Sequence, residues 1–188
     1  MNDPMTDSQA TDDQAAAGEL NFWSFIELAN KRLSDEYGFR HHLSNQVLLT
    51  LNRASNVVTY DLESSIHRPR GWSWSTFRLL FVTWLAGPIE PKTAADLAGM
   101  SRAAVSNLSK SLVADGLIDR RPTENDGRSV QLYLTDKGTE AMIEAFREQS
   151  EREHAWVSVL SEAEQRILVM LLDKLITNRS QFDVRGRN

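Results

Sequence analysis

One change of hydrophobic period restricts this chain more than any other feature. Up to Gly116 the apolar residues recur at three- and four-residue steps, over 117–134 they alternate, and after Thr135 the helical spacing returns. LIDRR (117–121) and SVQLYL (129–134) therefore read as two strands. Val130, Leu132 and Leu134 face one way, and Gln131 and Tyr133 the other. PTENDG (122–127) joins them, with Asp126-Gly127 as the turn signal. A single small hairpin set among helices narrows the fold to a mainly α protein with a β-hairpin.

The helices follow from their spacing. Phe22, Ile26, Ala29 and Leu33 predict a short amphipathic helix over 21–37. Leu43, Val47, Leu51, Ala54, Val58 and Leu62 predict a longer one over 43–66, ended by HRPRGW with its Pro69 and Gly71. A third over 75–86 turns Phe77, Leu80, Phe81 and Trp84 inward. Thr93 and Asp96 in TAAD match a capping box, Gly99 ends that short helix, and Ser101 caps the next, which runs to Gly116. One helix covers 136–158. The last starts at Ser161, with Glu164 as its capping partner, and buries Ile167, Leu168, Leu171, Leu172 and Leu175. No internal repeat occurs.

Composition removes whole classes of function. The chain has no cysteine, which excludes disulfides, thiolate metal sites and thiol catalysis. No apolar run is long enough to span a membrane, and the N-terminus lacks a signal peptide, so a cytoplasmic, nucleoid-associated protein is expected. The net charge of −5 belongs to residues 1–20, which hold Asp3, Asp7, Asp12, Asp13 and Glu19 and no Lys or Arg; acids and bases balance in the remainder. This polar tail is expected to be disordered. The rest divides into N-terminal helices (21–66), a central domain (73–138) and C-terminal helices (139–180). Without a Gly-rich phosphate loop, a GxSxG elbow or a cysteine nucleophile, no enzyme is expected. His41 and His42 cannot share one helix face, and His67 and His154 are isolated, so neither a metal nor another cofactor is expected.

Ala95, Gly99 and Val105 suit a helix–turn–helix: a small residue at the crossing, a glycine in the turn and a β-branched residue that packs the second helix down. At 100° per residue, Val105, Leu108 and Leu112 fall on one side of that helix. Ala103, Ser106, Asn107 and Lys110 fall on the other, with no acid among them. Such a face suits a major groove, where Asn pairs with adenine and Ser or Lys with several acceptors. Ser101 and Arg102 stand at the first turn, beside free amides that favour phosphate. On the hairpin, Arg128 suits a narrow minor groove, while Asp126 and Gly127 shape the tip. A helix–turn–helix followed by a two-stranded wing is a winged helix.

Residues 93–138, TAADLAGMSRAAVSNLSKSLVADGLIDRRPTENDGRSVQLYLTDKG, resemble the core of the MarR family of bacterial transcriptional regulators. The segments that carry the likeness are AVSNLSKSLVADGLIDRR, the Asp126-x-Arg128 wing and LYLTDKG leading into a long helix. With the flanking helices it covers roughly residues 41–178, and the helix at 21–37 is additional. Two positions depart from the family pattern: Ala104 stands where Thr is common and Asn107 where Arg is frequent, so base preference does not carry over.

The resemblance implies a homodimer whose N- and C-terminal helices interlace, bound to double-stranded DNA at an inverted-repeat operator, most often as a repressor. The run Leu168–Val169–Met170–Leu171–Leu172 agrees, since it leaves little polar face. It also implies release by a small phenolic or aromatic carboxylate effector. Tyr60, His67, Trp74 and Arg78 are the candidate pocket residues, with Arg78 receiving the carboxylate and Trp74 and Trp84 walling a ring. The alternatives are a winged-helix protein–protein module and an activator without an effector.

Overall fold

The computed structural model describes residues 20–123 and 126–182, excluding the side chains at 123, 126–129 and 180; the acidic tail at 1–19 and the hairpin tip at 124–125 lie outside it. The order is α1 (Phe22–Asp35), α2 (His42–Leu62), α3 (Trp74–Ala86), α4 (Pro91–Ala98), α5 (Arg102–Ala114), β1 (Ile118–Thr123), β2 (Asp126–Leu134), α6 (Asp136–Val157) and α7 (Glu162–Thr177). It is a mainly α fold with a two-stranded antiparallel hairpin. Two compact units divide at Ser55 and Asn56.

In the first unit, α1 begins at a reciprocal cap. The Asn21 side chain accepts from the amides of Trp23 and Ser24, and the Ser24 hydroxyl accepts from the Asn21 amide. Ile26 is buried and Phe22, Ala29 and Leu33 are half-buried, as their spacing predicts. The expected α2 stripe is different: Leu43, Val47 and Ala54 are exposed.

The second unit holds the core. The helix expected to reach residue 66 ends as an α-helix at Leu62, widens into a π turn (Glu63–His67) and tightens into a 3₁₀ turn (Arg68–Arg70). Side chains hold this irregular segment. Glu63 accepts from the Trp74 amide (3.0 Å) and from Arg68 (3.1 Å), and Arg70 donates to the Ile66 carbonyl (2.7 Å) and to Glu148 (2.7 Å). One turn earlier, Asp61 accepts from Arg152 (2.6 Å) and from the Trp156 indole (2.7 Å). Together these bonds lay residues 61–70 along α6.

Ser73 caps α3 by accepting from the Thr76 amide. This helix packs on α4, α5, β2 and α6, so its buried sector is wider than one stripe. Thr76, Phe77, Leu79, Leu80 and Thr83 are buried, while Phe81 and Trp84, expected inside, are half-buried at the edge against Phe146. The α4 start also corrects the expectation. Its N-cap is Glu90 without a side-chain bond, Pro91 occupies the first turn, and Thr93 lies inside the helix. Proline's preset φ starts the helix there.

The hairpin pairs Ile118 with Leu134, Arg120 with Leu132 and Pro122 with Val130, with an irregularity after Pro122. Its strands extend beyond the expected 117–121 and 129–134, leaving only 124–125 between them. Leu132 also exchanges two backbone bonds with Ile89 (3.1 and 2.8 Å), fastening the wing to the segment before α4. Leu132 is fully buried with Leu79, Leu80, Val105, Leu112 and Met142; each such side chain contributes about 1.5–3 kcal/mol. The capping box of Ser161 and Glu164 is present on α7. The expected burial of its apolar stripe is not: no residue of α7 is buried, and Ile167, Leu168, Leu171 and Leu175 are about half exposed.

Candidate nucleic-acid interface

The helix–turn–helix consists of α4 and α5. Ala94, Ala95 and Ala98 are buried, and these small side chains let the helices close on each other. Gly99 ends α4 at φ +61°, a left-handed conformation that other residues adopt at a cost, and its amide bonds back to Ala95 and Asp96. Two residues later the Ser101 hydroxyl accepts from the Ala104 amide (3.1 Å) and starts α5.

Helix α5 has two unlike sides. Val105, Ser109 and Leu112 are buried, with Leu108 packed beside them. Ser109 is tolerated there because its hydroxyl donates to the Ser106 carbonyl (3.1 Å). On the other side Ser101, Arg102, Ala103, Asn107 and Lys110 are exposed and Ser106 is half-buried. The structure thus brings all six helix residues singled out in the sequence onto one accessible surface.

Contacts at its far end hold α5 in place. The Thr135 hydroxyl donates to the Gly116 carbonyl (2.7 Å) and accepts from the Gly138 amide (2.9 Å), while Lys137 donates to the Asp115 carbonyl (2.8 Å). A Cβ on Gly138 would stand 2.0 Å from the Leu117 carbonyl oxygen, so the close approach of α6 needs glycine. Sequence reasoning gave Thr135, Lys137 and Gly138 no role; the LTDKG segment was the signal available.

On the hairpin, Arg120 is exposed. Asp119 accepts from the Arg121 guanidinium (2.7 Å) and the Arg120 amide (2.8 Å), and both contacts hold its carboxyl below the usual range. Arg121 lies 5.1 Å over the Tyr133 ring, and the Tyr133 hydroxyl donates to Gln131. Asp126, Gly127 and Arg128 belong to β2, and their side chains are outside the described set.

The four residues singled out for a ligand have different surroundings. His67 is fully buried, stacked 4.4 Å from Phe77 and tilted against Trp74 at 5.6 Å, with neither ring nitrogen partnered among the described residues. Burial pushes its pKa down to about 4, against the pull of Glu63 and with the push of Arg70. Trp74 is half-buried beside it. Tyr60 is exposed, with Arg68 5.4 Å over its ring. Arg78 has its guanidinium near Gly99, at the helix–turn–helix turn.

Known proteins carry the same arrangement. The MarR family model matches residues 72–130, from just before α3 into the second strand of the wing. The HTH-type transcriptional regulator YwaE of Bacillus subtilis (strain 168) is 28% identical over 132 residues, 70% of this chain and 77% of that protein. The transcriptional repressor MprA of Escherichia coli (strain K12) is 32% identical over 98 residues, 52% of this chain and 56% of that protein. Bordetella bronchiseptica BpsR, whose DNA binding is regulated by 6-hydroxynicotinic acid, shares the fold at a TM-score of 0.66 and 22% identity, over 73% of this chain and 97% of that one. With its capped α5, its alanine-lined crossing and its fastened wing, the central part of the chain, residues 72–130, is similar to the MarR family of transcriptional regulators.

Proposed function

We propose that the protein is a homodimeric repressor that binds an inverted-repeat operator and is released by a small aromatic or anionic effector. The observation that carries this reading is the α5 surface: exposed, polar and basic, free of acids and rigidly backed. In the proposed complex Ser101 and Arg102 meet phosphate, and Ala103, Ser106, Asn107 and Lys110 face base edges in the major groove. Arg128 enters the adjacent minor groove from the wing, with Asp126 and Gly127 holding the tip. The uncovered apolar sides of α7 and α2 support a second copy as partner. The repressor activity of MprA and the effector control of BpsR support the regulatory half of the reading. For the effector, the wall formed by His67, Trp74 and Phe77, with two unpartnered ring nitrogens, suits a flat ring bearing a polar group. A cytoplasmic, nucleoid-bound location goes with this function.

The test is a titration of duplex DNA carrying half-sites about 10 base pairs apart, repeated over a range of salt. Two chains bind each duplex, Lys110→Ala lowers the salt slope by about one, and Arg128→Ala weakens binding by about 1–3 kcal/mol. Unchanged affinity and slope in both variants would refute this docking.

A further inference from the structure

We infer that Arg78, from outside the helix–turn–helix, is a DNA-phosphate contact delivered at the turn between α4 and α5. The inference rests on the DNA-binding reading of α5. Arg78 follows the buried Phe77 on α3 and is itself half-buried. Its Nη1 stands 3.7 Å from where a Cβ on Gly99 would lie. Gly99 precedes the α5 N-cap, Ser101, by two residues, so the guanidinium sits beside the end of α5 that carries Arg102.

The cation has been taken partly out of water without compensation. Its Nε is buried with no partner, and it forms no hydrogen bond or ion pair with any described residue. Arg70, comparably withdrawn, shows the usual solution: its side chain is 19% exposed and meets both Glu144 and Glu148. Withdrawing a charge without a partner is costly, and an oxyanion supplied from outside relieves that cost. The planar guanidinium fork matches a phosphate through two parallel bonds. A backbone phosphate is the favoured source because the neighbouring surface, from Ser101 through Lys110, is the one offered to DNA and carries no acid. An effector carboxylate is the competing source. Of the other candidate pocket residues, His67 and Trp74 both stack on Phe77, and the Tyr60 ring meets Arg68.

The full-length chain, Arg78→Gln and Arg78→Lys are titrated with an inverted-repeat duplex and an unrelated duplex at several salt concentrations. Thermal melts are recorded in parallel, and release is probed with 6-hydroxynicotinic acid. Arg78→Gln is expected to lower the salt slope by about 0.9, the value for one phosphate. It should weaken both duplexes by the same factor, whereas Arg78→Lys keeps the slope. An unchanged slope overturns the proposal: with lost response to the acid it assigns Arg78 to an effector, and with a lowered melt to the architecture of the turn. A wild-type chain that binds neither duplex overturns the DNA-binding reading as well.

Discussion

Replacing His67 by leucine will remove a loss of stability that the wild-type protein suffers between neutral and mildly acid pH. The ring is fully buried between the end of the π turn and α3, stacked on Phe77, and has no hydrogen-bond partner among the described residues. A proton there creates a charge with nothing to solvate it. Burial accordingly lowers the folded pKa to about 4, Glu63 opposes the shift, and Arg70 reinforces it. In the unfolded chain the same group titrates near 6.5. Between those values the unfolded state binds a proton that the folded state refuses. Stability is therefore complete above about pH 6.5 and falls as pH drops towards 4. At about 1.4 kcal/mol per pH unit, the gap amounts to about 3 kcal/mol.

The assay is urea unfolding of the wild type and His67→Leu at one protein concentration, from about pH 7.5 to about pH 4.5. Carboxyls held low by their partners, such as Asp61 beside Arg152 and Glu148 beside Arg70, titrate in both proteins and cancel in the difference. That difference should shift in favour of the variant by about 2–3 kcal/mol by about pH 4.5. Parallel pH profiles would refute the reasoning, since they would mean that the imidazole finds a partner or solvent when charged.

Two further outcomes follow from packing. Gly138→Ala places a methyl 2.0 Å from the Leu117 carbonyl oxygen, so α6 must move; about 1–3 kcal/mol should be lost in chemical unfolding, with weaker DNA binding because α5 ends against the same junction. Leu168→Asp combined with Leu171→Asp puts charge on the uncovered side of α7, and under the proposed dimer light scattering should find pairs for the wild type and single chains for the variant; an unaltered mass would exclude α7 from the interface.

The sequence exposed what depends on near neighbours. The Ser101 cap, the buried Val105 and Leu112, the accessible face of α5 and the alternation of β2 all follow from residues one to four apart. Pairings made across long stretches of chain left no such trace. Asp61 meets Arg152 and Trp156, Glu63 bonds the Trp74 amide, and Arg78 reaches Gly99; periodicity marks none of them. They also explain the misjudged end of α2, because bonds to α6 and α3 hold the backbone in a π turn where an isolated helix would continue. Ile89 was missed for a simpler reason: a one-residue bridge to Leu132 has no alternation to read. At α4 two start signals compete two residues apart, and the fixed φ of Pro91 prevails over the hydroxyl of Thr93.

Helices α3 and α7 show why hydrophobic pattern and burial can part company. Both carry long apolar runs, LLFVTWL in α3 and ILVMLL in α7, and by pattern alone both read as faces withdrawn from water. Within one chain α3 is enclosed by α4, α5, β2 and α6, whereas α7 packs chiefly on the short turn that follows it. A pattern of this kind records which face is withdrawn from water in the working assembly, whichever chain supplies the cover. Each apolar side chain left on α7 forgoes about 1.5–3 kcal/mol that burial would contribute. Monomeric proteins rarely leave so contiguous an apolar surface in water. The proposed dimer accounts for the α7 run as an interface, and the paired aspartates tested above decide whether a second copy of this chain completes it.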